Sequence, residues 1–487
     1  MLDYIHSHPF PSTELAVLRA MHLPENIFEF KIWRDDSLNI QCKFGYRIDS
    51  RHEANVITAK IYNLPKGKKI RVLAQSEKKS YFVLIKDIRI KSFNWNGDVL
   101  TVNGEIYDLL FRNVFCKEVD NYTYWYLNGS DELIYNQILL THQEYSLYLN
   151  FGEGKEYKIR IPPQKDISLN HAYIKFYHGD VLILIGCTIP TTESQYRFTW
   201  IRYYSQKPPS EKISEAVASL YSFLSGCEIL PLGNVSLNKD FIPIRSYHLS
   251  SCRAIIDNIV FANRFPPIPI SYRRSGQLRE KVDSLLPQLL ANYLEKGEDM
   301  HLKLAIWYIN QSLHLPLDIQ LQPMSTAFDI LKKAWFKSKN SISQGFNINE
   351  KEFQEILGED FKIISERLEK NPKGKKIIGR ILKANTKGDS EKTFTFLEEL
   401  GLEIDLVERE VLEERNRAVH GTTKPRNYSK LAYRTMAYRT LLNRIILRIL
   451  NYQGDYIDYS WDCGAQVKYT TWPLSIPMQG RKNDKKV

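Results

Sequence analysis

Near residue 270 the hydrophobic period of this chain changes, and that change rules out a single sheet or a single helical bundle for all 487 residues. Before it, apolar and polar residues alternate one by one, as in Phe28-Glu29-Phe30-Lys31-Ile32 and Tyr157-Lys158-Ile159-Arg160-Ile161, the pattern of strands with one wet face. Asn96-Gly97 and Asn128-Gly129 stand where tight hairpin turns need positive φ, so antiparallel pairing is expected at both. The aromatic runs YTYWYL, FYH and FTWIRYY are read as core and cross-strand pairs, with a ligand-stacking surface as the alternative. Pro208-Pro209 introduces a helix with Ile213, Val217, Leu220 and Leu224 at helical spacing and Gly226 at its end; it is expected to stand alone within the β-rich half.

The Pro-rich stretch from Phe265 to Ser271 is the expected linker. Beyond it, residues 278–294, 300–313 and 324–337 carry apolar positions three and four apart, as in Leu302, Ala305, Ile306, Ile309 and Leu313. Further helices are expected at about 350–370, 374–385 and 391–401. The fold class is therefore α+β and multidomain: an antiparallel β-rich region over 1–270, in one or two subdomains, then an all-α bundle over 271–452. Residues 453–487 complete it as an aromatic strap with Tyr456, Tyr459, Trp461, Tyr469 and Trp472, and a basic tail.

Composition narrows the setting. Hydrophobic residues make up 43% and charged residues 25%, ordinary for a globular chain. The longest apolar run, Val181 to Ile185, is far short of the ~18 residues a membrane helix needs, and no basic stretch followed by an apolar one opens the chain. Cysteines at 42, 116, 187, 227, 252 and 463 form no CxxC pair, which fits a reducing, cytoplasmic protein without a disulfide framework. His6 and His8 lack companions of ligand spacing, and Lys373-Gly374-Lys375-Lys376 lacks the spacing of a phosphate loop, so neither a metal nor a nucleotide cofactor is expected.

The net charge of +11 points to a polyanionic partner and is also compatible with simple solubility. Its distribution is more telling: from Arg415 to Gly454 there are nine basic residues and no Asp or Glu. Projected at ~100° per residue, Arg426, Lys430, Arg434, Arg444 and Arg448 fall within about 80° of arc, beside a seam of Leu431, Tyr438, Leu442, Ile445 and Ile449. With no acids on that helix to pair them, these cations are expected to contact RNA backbone, with Lys424 and Arg426 nearest the motif that precedes them; a merely solvated face is the alternative.

Asp405 and Glu408 form a capping box opening a helix through LVEREVLEERNRAVHG, with Gly421 placed to end it. Arg415 lies four after Val411, three after Leu412 and three before Ala418, inside the apolar stripe. A guanidinium there is costly unless paired, for instance with Glu413 or Glu414, or facing a shared wet cleft. Asn416 and His420 share a face, whereas an ideal helix separates Arg415 from His420 by roughly 140°.

Arg415-Asn416-Arg417-Ala418-Val419-His420 resembles the R-x4-6-H motif of HEPN ribonucleases, and His420-Gly421 continues a form common in that superfamily. With the upstream SLYSFLSGCEILPLG and the segment STAFDILKKAWF, the chain resembles the ApeA-like antiviral branch, which places a β-rich domain before the HEPN domain. The resemblance implies a metal-independent endoribonuclease of prokaryotic antiviral defence, acting on tRNA or other structured RNA as a homodimer whose two motifs share one cleft. Catalysis would fall to Arg415, Asn416 and His420, and RNA contact to Arg417, Lys424, Arg426, Lys430 and Arg434. No metal, cofactor or membrane is implied, and the β-rich half would sense a phage protein or another trigger. The competing reading is a non-catalytic dimer that binds nucleic acid or a ligand.

Overall fold

The computed structural model describes residues 13–35, 39–64, 69–76, 81–115, 118–128, 145–151, 155–161, 173–188, 198–239, 243–249, 264–269, 278–338, 346–419, 427–460 and 470–473. Its first six strands close into a ring. They are β1 (Thr13–Met21), β2 (Ile27–Arg34), β3 (Ile40–Arg47), β4 (Arg71–Ser76), β5 (Tyr81–Asn96) and β6 (Val99–Asn113). The spatial order is β6-β3-β2-β1-β4-β5, every neighbour is antiparallel, and β5 returns to pair with β6 from Tyr81↔Asn113 to Asn96↔Val99. The alternation of β2 sends Phe30 and Ile32 inward, where they join Cys42, Phe44, Val72, Val83, Ile85 and Val102 in one core. Helix α1 (Arg51–Tyr62) adds Ala54, Ile57 and Ile61 to that core. A β-bulge at Phe28 lays its ring over Gly45, where a side chain would meet it, and the Arg47 guanidinium stacks on that ring at 5.2 Å.

Asn96-Gly97 forms the expected hairpin turn, with Gly97 at φ 63°. Asn128-Gly129 does not form the second. β7 (Asn121–Leu127) is an interior strand between β12 (Phe198–Tyr204) and β13 (Leu230–Leu237). Asn128, at φ 72°, turns the chain out of the sheet, its side-chain amide donating to the Glu228 carbonyl and its own carbonyl accepting from Thr199 Oγ1. The sheet runs β10-β11-β12-β7-β13-β14, where β10 is Tyr173–His178, β11 is Val181–Thr188 and β14 is Pro243–Leu249. It joins the ring because the second half of β6 pairs with β14 while its first half pairs with β3. β8 (Tyr145–Phe151) and β9 (Lys155–Ile161) form a separate hairpin.

The chain divides into two compact units, and the boundary differs from the one expected. Residues 215–226 and 263–270 belong with residues 288–487, so most of α2 (Glu211–Ser225) is part of the helical unit, not an isolated helix of the β-rich half. Side-chain bonds account for this: Ser219 Oγ accepts from the Tyr293 hydroxyl of α3 (Leu278–Lys296), and Ser222 Oγ from Asn310 of α4 (Leu302–Gln311). Gly226 ends α2 at φ 61° in close contact with the backbone of Phe265, which no side chain at that position would permit. The Pro-rich stretch is likewise docked, not a free linker: Pro266 and Pro267 carbonyls accept from the Tyr459 hydroxyl and the Ile457 amide.

The helical core centres on α5 (Leu321–Lys337) and α10 (Tyr428–Ile449), with Phe328, Tyr438 and Phe396 of α8 (Asp389–Glu399) in ring contact. The seam expected on α10 is buried throughout, from Leu431 to Ile449. The C-terminal strap forms as a hairpin of β15 (Asp455–Asp458) and β16 (Thr470–Pro473), with Tyr456 paired to Trp472 and buried; Trp461, Tyr469 and the basic tail lie outside the described residues. The protein is thus α+β, with its antiparallel sheet in the N-terminal half and its helices concentrated in the C-terminal half.

Candidate functional site

α9 (Leu406–Val419) begins with the capping box read from the sequence: the Asp405 carboxylate accepts from the Glu408 amide at 2.7 Å, and Glu408 accepts from the Asp405 amide at 3.2 Å. Glu408 has a second partner that the sequence pattern does not announce. Its two carboxylate oxygens take Nη1 of Arg444 at 2.8 and 3.0 Å, and both side chains are wholly buried. Arg444 also donates to the Glu403 carbonyl at 2.8 Å and lies over the Tyr456 ring at 5.1 Å. Every face of that guanidinium is occupied, which is what a charge taken out of water requires.

The remaining cross-contacts fix the direction of the two helices. Arg448 donates to the Leu400 carbonyl and to Gln453, while Arg434 near the other end of α10 donates to Glu410 at 2.7 Å. Residue numbers rise along one helix as they fall along the other, so α9 and α10 are antiparallel, joined through 420–426. The buried residues of α9, Glu408, Val411 and Leu412, form one row facing α5 and α10, and position 415 continues that row by helical spacing.

The basic stripe expected on α10 is mostly used inside the protein. Arg444 is buried in its ion pair, Arg448 serves carbonyl and amide oxygens, and Arg434, with only 13% of its side chain exposed, is engaged by Glu410. Arg439 is buried as well, donating to the Ile309 carbonyl and Ser312 hydroxyl under the Phe265 ring; burial pulls its guanidinium down to about 10, still charged at neutral pH. The acids missing from 415–454 are supplied by α9 itself, upstream of the motif. Lys430 is exposed, in a first turn capped by Asn427, whose side chain accepts the Lys430 amide.

Arg415, Asn416 and Arg417 lie in the helical backbone of α9. His420, Lys424 and Arg426 lie outside the described residues. Among the described residues no group of three or more His, Cys, Asp or Glu is placed to hold a metal ion, and no helix is long and apolar enough to cross a membrane. No protein-family model, curated protein or solved structure matches the chain.

Proposed function

We propose that the chain is a metal-independent endoribonuclease whose centre is Arg415, Asn416 and His420. RNA carries its own nucleophile, so the protein need only move protons and offset charge. A neutral His420 imidazole takes the 2′-OH proton as the O2′–P bond forms, and the 5′ oxygen leaves with a proton as the P–O5′ bond breaks. The products are a 2′,3′-cyclic phosphate and a 5′-OH, with no water consumed. Arg415 offsets charge on the phosphorane through a fork that fits phosphate oxygens, and Asn416 orients the imidazole or the phosphate.

One observation carries this reading: the Arg-x4-His motif begins on the last turns of a helix locked from its first turn to α10 by a buried ion pair. Such an anchor gives the motif a rigid support, as a centre that must hold a phosphate in register requires. Lys430, exposed on the first turn of α10, supplies a cation for the RNA backbone beside it. In this reading two chains bring their motifs to one cleft, and the β-rich region restrains or triggers the cut in antiviral defence.

Cleavage of end-labelled total RNA by the wild type and by His420→Ala tests it. The enzyme loses cutting and keeps binding. If neither protein cuts while both bind, the chain is a nucleic-acid-binding protein without catalysis.

A further inference from the structure

The segment from Phe346 to Thr386 is a helical hairpin closed at its base. The Asn385 side chain donates to the Ile348 carbonyl and accepts the Ile348 amide, both at 2.9 Å, and Phe346 bridges Thr386. Its arms are α6 (Glu350–Glu369), broken at Gly358 where φ is 44°, and α7 (Gly374–Leu382). No side chain of α6 described here is fully buried. Its half-buried positions, Phe353, Leu357, Phe361, Ser365 and Leu368, mark the side against α7, where Ile378 and Ile381 are the matching pair.

The residues one place before that row are a pattern in themselves. On α6 they read Glu352, Ile356, Asp360, Ile364, four apart and all exposed; on α7 they are Ile377 and Arg380. In antiparallel helices the positions just before each contact row lie on the same side of the pair. One side of the hairpin therefore shows three isoleucines, exposed by 67%, 47% and 43% for Ile356, Ile364 and Ile377, with carboxylates along one arm and a guanidinium on the other. The charge division extends along both arms. α6 holds seven carboxylates against three cations, whereas residues 370–387 hold Lys and Arg without a single acid.

We propose that this side docks on the same side of a second copy of the chain. A two-fold axis parallel to the helices sets α6 of each copy on α7 of the other, so carboxylates meet cations twice and the isoleucines leave water. An axis across the helices would oppose like charges. An anionic membrane or an RNA would meet the cations of α7 but also the carboxylates of α6, which the two-fold pairing turns into partners. The proposal does not rest on the nuclease reading, since none of these residues belongs to the motif.

The test uses two charge reversals in the full chain, Glu352→Lys with Asp360→Lys and Lys373→Glu with Arg380→Glu, each checked for native circular dichroism. Sedimentation across concentration should show a dimer for the wild type and self-association at least ~10-fold weaker for each reversed chain, as like charges now face each other. Mixing the two reversed chains should restore a dimer, since each then offers what the other lacks. Ile356→Asp, at a strongly exposed position, should weaken the dimer independently. A monomeric wild type, reversed chains of unchanged mass, or a mixture that stays apart would each overturn the proposal. So would RNA or anionic vesicles binding the wild type through these residues with no change in its mass.

Discussion

The Glu408 carboxylate meets the Arg444 guanidinium at 2.8 and 3.0 Å with neither side chain exposed, while the same carboxylate caps the start of α9. One side chain thus ties the beginning of the motif helix to the helix that follows the motif. Removing one partner of such a pair leaves a buried charge uncompensated, at about 3–5 kcal/mol. Glu408→Ala or Arg444→Ala should therefore lower the urea midpoint of the helical unit severely, whereas Glu408→Met with Arg444→Met should recover much of the loss. A midpoint within ~1 kcal/mol of wild type for either single variant would contradict the pairing.

His248 makes the β-rich unit sensitive to acid. It is buried, its Nε2 meets Ser246 Oγ at 3.0 Å and its ring stands edge-on to Phe111; burial, aided by the positive charge of Arg34, pulls its pKa down to about 3. The unfolded chain takes up this proton near pH 6.5 and the folded chain does not, so the stability contribution is complete above pH 6.5 and is lost as pH falls toward 3. Between pH 6.5 and 5 wild-type stability should fall by up to ~1.4 kcal/mol per pH unit relative to His248→Phe. Parallel curves for the two proteins would contradict a neutral buried imidazole.

Much of this fold is legible because its signals are local. The alternation at Phe28–Ile32 reports β2, Leu302, Ala305, Ile306 and Ile309 report the buried face of α4, and Asp405 with Glu408 announces the start of α9. What escapes is set by partners distant in sequence. The ring closes through β4 and β5 meeting β1 and β6, a pairing that no residue pattern encodes; Asn128-Gly129 carries a turn signal yet ends an interior strand. The basic run on α10 misleads for the same reason: counting acids on one helix cannot reveal Glu408 and Glu410 on its antiparallel neighbour. For the site, the motif is readable from six adjacent residues, whereas the ion pair supporting it joins positions 36 apart.

The division of labour along α10 separates two cations that look alike in the sequence. Lys430→Ala should weaken RNA binding and reduce the slope of log K against log salt by about 1, since one fewer phosphate counterion is released. Arg434→Ala breaks a partly exposed pair with Glu410, and should cost at most ~1 kcal/mol of stability while leaving the salt slope unchanged. Equal slopes for the Lys430 variant and the wild type would remove Lys430 from the interface.

The ends of the cut RNA test the central claim most directly. Wild-type protein incubated with a defined RNA should leave a 2′,3′-cyclic phosphate on one fragment and a 5′-OH on the other, and DNA of the same sequence should stay intact because it lacks the nucleophile. His420→Ala and Arg415→Ala should each slow this cut by ~100-fold or more with folding intact. Fragments bearing a 5′-phosphate, or full cleavage by either variant, would contradict the assignment of Arg415 and His420 to a reaction driven by the ribose hydroxyl.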